Sequence, residues 1–495
     1  MPSAPDPYNA FAYPAFSYPH THPDRLAVMA TLHGLSPAPV ERCRVLEIGC
    51  NEGANLIPMA YAIPQGEFVG FDLAQTPVAR GQERIAALSL KNVRIFAGDL
   101  LDVGAGLGRF DYVIAHGLYS WVQEPVRDRL LALCGEVLEP NGVAFVSYNA
   151  LPGSYLRGML RDMMLFRVKD IEDPAQREAE AIRFLHLVAS TRPEDDMYRV
   201  LIETQLRRME ARQPHVTIHD ELSAAYDSVH FIDFVEHAQR HGLHYLSDAE
   251  LPPPPDPCYR LDLRPALESA AGEDFLRQEQ ALDFFRMRMY RETLLCRAES
   301  VPCREVTAEQ LRRMLFASQA TSMRRTGTET PVFQLPGGIK MESNHPVANA
   351  LLHELERAWP SAVGFDELAP TLAAAGFLLD ADGAALLMRL AISKMIEFRT
   401  WRPPVAAEIS ERPKASACSR LEGRTRRQAT TLLHMTINLD DPKVRFFLQL
   451  LDGTRNRSML LEAMKAEFSE TPVEELEAGI QPGLRTFHLA GLLEA

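Results

Sequence analysis

Glu47, Gly49, Asn51 and Gly53 sit close together in RVLEIGCNEGANL (44–56), where a short apolar run meets a turn and then a helical pattern. Glycine admits close backbone approach and positive φ, so this turn is shaped to hold a ligand against the carboxyl edge of a sheet. The dinucleotide fingerprint G-x-G-x-x-G is not met, because Gly49-Cys50-Asn51-Glu52-Gly53 lacks the middle glycine. An acidic residue ahead of the first glycine repels a pyrophosphate and suits a cation bearing an amino group. Asp72 closes the next apolar run and can take both hydroxyls of a ribose. Asp99 closes the third and can accept from an exocyclic adenine amine. A cationic amino acid, a ribose and an adenine, in that order, are the parts of S-adenosylmethionine, whose product is S-adenosylhomocysteine. The candidate cofactor residues are Glu47, Gly49, Cys50, Asn51, Gly53 and Asn55 in the turn, then Asp72, Leu73, Asp99, Leu100 and His116. Tyr18 and His22 join them from an N-terminal arm.

Methyl transfer from a sulfonium is an in-line displacement, which asks the protein to align a nucleophile and exclude water. The fourth strand should end beside the methyl, and there the chain reads His116-Gly117-Leu118-Tyr119-Ser120-Trp121. The Asn/Asp-Pro-Pro-Tyr/Phe tetrad of many nucleic-acid amino-methyltransferases is absent. A lysine acceptor, with a reference pKa of about 10.4, must first lose a proton. His116, Tyr119 or a water path could take it, and Tyr119 or Trp121 could cover the ammonium by a cation–π contact. Tyr148 and Asn149, at the end of the fifth strand, complete the candidate catalytic set. His215, His219, His230, His237, His241 and His244 cluster, but no Cys or paired Asp spacing accompanies them. They are expected on a helix surface or interface, with no metal site.

These residues need a scaffold, and residues 44–149 supply one. Short apolar strands are predicted at Arg44–Ile48, Glu67–Asp72, Val93–Ala97, Phe110–Ala115 and Val143–Tyr148. Helices alternate with them at Ala54–Tyr61, Val78–Leu88 and Pro125–Leu138. That alternation indicates βαβ units and a parallel sheet covered on both faces. The expected organisation is an aromatic and proline-rich arm (1–25), a cofactor-binding core (26–153) and a helical insertion or lid (154–212). A return to the sheet (213–265), a helical middle region (266–344, with a helical block that includes Glu273–Arg297) and two helical modules (345–402 and 428–495) follow. Pro252–Pro255 with Pro257 form a stiff break, and RPKASACSRLEGRTRRQ reads as a polar, basic linker, its run Arg420–Arg427 solvated.

Several segments resemble one family. They include SYPHTHPDRLA (17–27), CRVLEIGC (43–50), NLIPMA (55–60), FVGFDL (68–73), FDYVIAHGLYSWV (110–122) and PNGVAFVSYNALPGS (140–154). HDEL (219–222), HFIDFVEHAQRHGLHYL (230–246), DFFRMRMYRETLLCR (283–297) and DDPKVRFFLQLLDGTRNR (440–457) extend the likeness through nearly the whole chain. The chain is similar to class I methyltransferases carrying a methyltransferase regulatory domain, a bacterial group that includes the rickettsial outer-membrane-protein lysine methyltransferases. The resemblance implies a Rossmann-like α/β sheet with a helical insertion, followed by mainly helical, winged-helix-like modules. It also implies a homodimer that methylates lysine side chains of a protein. Two residues depart from the pattern: Asn51 where a small residue is common, and Ser154 where an aromatic is frequent. Alternatives to a protein acceptor are a small-molecule methyltransferase using 154–212 as a lid, and a cofactor-binding scaffold with little catalysis.

Composition bounds these readings. Of 495 residues, 46% are apolar and 24% charged, as in a folded globular chain. A net charge of −14 leaves no broad basic footprint for nucleic acid. No apolar run approaches a membrane span, and MPSAPDPYNAFAYP lacks the basic and apolar regions of a signal peptide. Seven scattered cysteines without a CxxC pair fit free thiols in a reducing, cytoplasmic setting.

Overall fold

The computed structural model describes residues 13–212, 215–252, 263–323 and 330–495. Tyr8 and Phe11 of the arm, Pro253–Pro255, Pro257 and Cys258 lie outside the described residues. A seven-stranded sheet organises the first 300 residues: β1 Arg44–Ile48, β2 Glu67–Asp72, β3 Val93–Ala97, β4 Phe110–Ala115, β5 Leu138–Asn149, β6 Leu243–Asp248 and β7 Tyr290–Arg297. Their spatial order is β3-β2-β1-β4-β5-β7-β6. β1 to β5 pair in parallel, whereas β7 runs antiparallel between β5 and β6. Side-chain alternation explains the burial on both faces. Val45, Phe68, Tyr112, Ile114 and Phe145 join one apolar cluster, while Leu46, Val69, Phe71, Val113 and Val146 join the other. A parallel sheet covered in this way carries its ligand site at the carboxyl ends of the strands, where the order reverses between β1 and β4.

β7 departs from the expected helical block over Glu273–Arg297. The helix covers only Phe275–Arg286, and Met287, in the left-handed region at φ 49°, ends it. The second residue of the strand that follows is Arg291, which is fully buried. The guanidinium pairs with Asp283 (2.9 Å), Asp248 (2.8 Å) and Glu279 (3.1 Å). A buried charge in a strand is tolerable only when paired in this way. The polar letters that made the segment read as helix surface are thus internal ion pairs.

The helices Ser154–Val168, Pro174–Ser190 and Met197–Glu210 pack on one another through Leu160, Met164, Leu185, Ile202 and Leu206, forming a small core of their own. The segment 311–401 shares one continuous apolar cluster with the sheet, through the helix Pro23–Leu32. Most apolar residues from 406 onward build a further core around Leu448, Leu460 and Leu484, beside a hairpin formed by Gln428–Thr430 and Thr436–Asn438. The run Arg420–Arg427 is not a solvated linker. Most of it belongs to the helix Ala417–Thr425, capped by Ser416 and burying Cys418, Ser419 and Glu422. Two of its charges are matched across an interface, Arg426 pairing with Glu52 and Glu422 accepting from Arg84 at 2.6 Å, while Arg424 and Arg427 stay exposed.

Candidate active site

The sheet's carboxyl edge opens into a cavity of about 700 Å³. Glu47, the fourth residue of β1, lines it and is 4% exposed. Its Oε1 accepts from Asn55 Nδ2 at 2.7 Å, while Oε2 is buried without a hydrogen-bond partner. Burial, and to a smaller extent the charge of Asp72, push the Glu47 carboxyl up to about 8, although the Asn55 hydrogen bond acts the other way. The turn after β1 then uses positive φ three times, at Gly49 (76°), Asn51 (50°) and Gly53 (68°). Asparagine is the non-glycine residue that best tolerates this region, which accounts for Asn51 there. The Asn51 N–H donates to Asp72 Oδ2 at 2.8 Å, and Ala74 N–H donates to Asp72 Oδ1 at 2.9 Å. The carboxylate at the end of β2 is thereby locked to the glycine turn.

Around the same cavity lie Gly49, Cys50, Asn51, Asn55, Asp72, Leu73, Asp99, Leu100 and His116. Asp99 Oδ1 also accepts from Leu101 N–H at 2.9 Å, so part of its carboxylate braces its own loop. Gly53 lies outside the lining and packs beside Ile57 and Ile95. The arm crosses this mouth. Tyr18 stacks on His116 with ring centroids 3.9 Å apart, and Tyr18 N–H donates to Asn55 Oδ1 at 2.9 Å. His116 is pushed down to about 3 by burial, aided by nearby His20, and is neutral at physiological pH. His20 Nε2 lies 2.9 Å from Glu292 Oε1, and His116 Nε2 lies 3.9 Å from the same oxygen.

Three expected positions are corrected. His22 turns away from the cavity: its Nδ1 accepts from Asp24 N–H, capping the helix Pro23–Leu32, and its ring stacks on Trp401 at 5.4 Å. Tyr119 is 3% exposed, and its hydroxyl bonds His237 Nδ1 at 2.9 Å, behind the loop it was expected to project from. Tyr148 is fully buried, stacked on Phe234 at 4.1 Å and bonded to Thr293 at 3.2 Å. Strand alternation turns Tyr148 to the core and its neighbour Asn149 to the cavity. Trp121 and Asn149 do line the cavity. The Arg157 guanidinium sits 5.5 Å from the Trp121 ring centroid, and Arg157 Nη1 donates to Asn149 Oδ1 at 3.3 Å.

The wall opposite the turn was not foreseen. It holds Arg157, Arg212, Asp220, Glu221 and Tyr290. Arg157 Nη2 pairs with Asp220 Oδ2 (3.1 Å) and Glu221 Oε1 (2.8 Å), and Arg212 Nη1 reaches both as well. Burial raises the Asp220 carboxyl despite Arg157. The HDEL segment (219–222) carried a signal in the family resemblance, whereas nothing local distinguished Arg157 or Tyr290. Of the clustered histidines, His219 and His237 are buried, and the Nε2 atoms of His237 and His241 share Asp128 Oδ1 at 3.1 and 2.8 Å.

The donor set suits S-adenosylmethionine: a buried carboxylate with an unused oxygen for an ammonium, a fixed aspartate for a ribose, and an apolar slot beside Leu100 for a base. Comparison with known proteins agrees. Residues 45–142 match the family described as "Methyltransferase domain", residues 213–297 "Predicted methyltransferase regulatory domain", and residues 411–480 "PKMT, C-terminal winged helix domain". The uncharacterized protein RP028 of Rickettsia prowazekii is 34% identical over 238 residues, covering 47% of this chain and 94% of that protein. RP789 of the same organism is 32% identical over 311 residues, covering 62% of this chain, which spans only 56% of RP789. The structure of PKMT2 from Rickettsia typhi superposes with a TM-score of 0.84 at 25% identity, over 97% of this chain and 100% of that one. The same protein in complex with AdoHcy gives 0.85 at 24% identity, over 97% and 99%. A Rossmann-like sheet with this glycine turn, a regulatory segment and a PKMT-type winged helix place the chain among the class I S-adenosylmethionine-dependent methyltransferases, in the arrangement seen in the rickettsial PKMTs.

Proposed function

We propose that this enzyme methylates lysine side chains of a protein. The observation that carries the reading is the likeness to PKMT2 along almost the full chain, including the helical insertion and the C-terminal module. Bound S-adenosylmethionine supplies an electrophilic methyl group on a sulfonium. Glu47 would take its ammonium, and Asp72 and Asp99 the ribose and the base. Cys50, Leu73 and Leu100 would shape the apolar sides. Tyr18, stacked on neutral His116, would close the cavity mouth against water.

The acceptor would enter along Trp121, Asn149, Asp220, Glu221 and Tyr290. Carboxylates and ring faces suit an ammonium, and Asn149 Oδ1 and the Tyr290 hydroxyl can align the amine once it has lost its proton. His116, held far below its ordinary value, is a poor base, so the proton would leave by a route other than this imidazole. The homodimer implied by the resemblance and the cytoplasmic setting expected from the cysteines belong to the same proposal.

Tritiated S-adenosylmethionine incubated with the enzyme and lysate fractions tests the reading. Label in protein bands that comigrates with methyl-lysine after hydrolysis is expected. Label only in small solutes would replace the acceptor by a metabolite, and tight cofactor binding without any label would indicate a scaffold.

A further inference from the structure

The C-terminal hairpin reaches Asn55, the hydrogen-bond partner of the Glu47 carboxyl. Its turn, residues 431–435, places His434 in the left-handed region at φ 59°, and the side chain is buried. His434 Nε2 lies 2.8 Å from Asn55 Oδ1. The backbone N–H of Tyr18 points at that same oxygen at 2.9 Å, which identifies it as the amide oxygen and His434 Nε2–H as a donor. With its oxygen held from two sides, the Asn55 amide can only turn its NH₂ toward Thr21 Oγ1 (3.0 Å) and Glu47 Oε1 (2.7 Å). Asn55 in turn holds one Glu47 oxygen and leaves the other without a partner. The histidine is neutral, because burial, with a smaller contribution from His20, pushes it down to about 3.

The hairpin turn is itself fixed. Thr431 Oγ1 accepts from Leu433 N–H and Met435 N–H, each at 3.2 Å, and Leu432 N–H donates to Gly491 O at 2.9 Å. Neighbouring residues hold the adjacent parts of the site. Thr436 Oγ1 and Ser17 Oγ are 2.8 Å apart, and Arg426 pairs with Glu52 inside the glycine turn.

We propose that His434 is a positioning residue for the cofactor site, acting through Asn55 to aim Glu47, so that the C-terminal module forms part of that site. The inference rests on the cofactor assignment and not on the lysine acceptor.

The test is calorimetric binding of S-adenosylhomocysteine to the full chain, comparing wild type with His434→Ala and His434→Gln. Both substitutions meet the same φ, so backbone strain is matched. Only glutamine offers an N–H at the distance of Nε2. Loss of one buried hydrogen bond corresponds to about tenfold weaker binding for His434→Ala, with His434→Gln within roughly threefold of wild type. Equal affinity in all three proteins, or equal loss in both variants, overturns the proposal. If His434→Ala fails to fold, hydrogen exchange on wild type decides. S-adenosylhomocysteine should slow exchange of the 431–436 amides together with 47–55, and protection of 47–55 alone overturns the proposal. Absence of any binding to wild type would instead remove the cofactor assignment itself.

Discussion

With Glu47 as the partner of the cofactor ammonium, binding should depend on pH in a direction fixed by the burial of this residue. Its carboxyl is pushed up to about 8, so at pH 7 only about a tenth of the ligand-free protein carries the carboxylate that an ammonium requires. The apparent dissociation constant then scales as 1 + 10^(8 − pH). This gives roughly fivefold tightening from pH 7 to 8 and roughly fiftyfold from pH 6 to 8. At pH 7 about 0.9 proton should leave on binding. Calorimetric titration with S-adenosylhomocysteine in buffers of different ionisation enthalpy reads that proton directly. Glu47→Gln removes the titrating group and should flatten the profile while weakening binding at pH 8. A wild-type affinity that is flat from pH 6 to 8, with no buffer-dependent heat, refutes the reasoning. The same shift has a stability consequence. The folded ligand-free protein holds a proton that the unfolded chain releases above about 4.5, so its stability falls as pH rises from there toward 8. The cofactor should reverse that loss.

Tyr18→Ala removes the ring stacked on His116 and should weaken S-adenosylhomocysteine binding by roughly 5- to 30-fold, with unchanged affinity excluding a covering role for the arm. Tyr119→Phe deletes only the bond to His237, so it should cost about 1 kcal/mol of stability in urea unfolding and leave kcat within about twofold. Trp121→Ala, on the cavity wall, should lower kcat roughly tenfold or more; equal kcat for these two variants would reverse their assignments. Arg291→Ala strands buried Asp283 and should destabilise the fold by about 3–5 kcal/mol, and an unshifted urea midpoint would contradict the ion-pair account of β7.

The parts legible in the sequence were those whose signal is local. β1 to β4, the glycine turn and the acids at the strand ends each announce themselves within a few neighbouring residues, because apolar runs, turn glycines and strand-end carboxylates are short-range patterns. Tyr148 and Asn149 show the limit: both stand at the end of β5, and pleat phase alone decides which faces the cavity. Arg291 and the Arg420–Arg427 run show another limit. A charged residue looks the same in sequence whether solvated or paired in the interior, and its partner, Asp248 or Glu52, lies far away in the chain. Asn55 and His434 are separated by 379 positions, so no window of residues could relate them.

That separation bears on why the chain is so long. A βαβ sheet with a glycine turn holds a cofactor using a quarter of these residues, yet here the cavity also takes walls from the arm, the insertion and the regulatory segment. The arm supplies Tyr13, Phe16 and Tyr18, the insertion Arg157, Leu160 and Arg208, the regulatory segment Asp220, Glu221 and Tyr290. The hairpin holds Asn55 from behind. The insertion and the C-terminal module each bury an apolar core of their own, so neither needs the cavity in order to fold. Their meeting point is therefore where sequence can vary acceptor recognition without disturbing the sheet. An acceptor too large to be enclosed must approach across the arm and the insertion, whose contacts at the mouth are a ring stack and polar side chains. Such contacts part at modest cost, and the interleaved sheet does not. On the proposed reading, access for the acceptor is accordingly set by the arm and the insertion, while Asn55, held by the hairpin, keeps Glu47 in place.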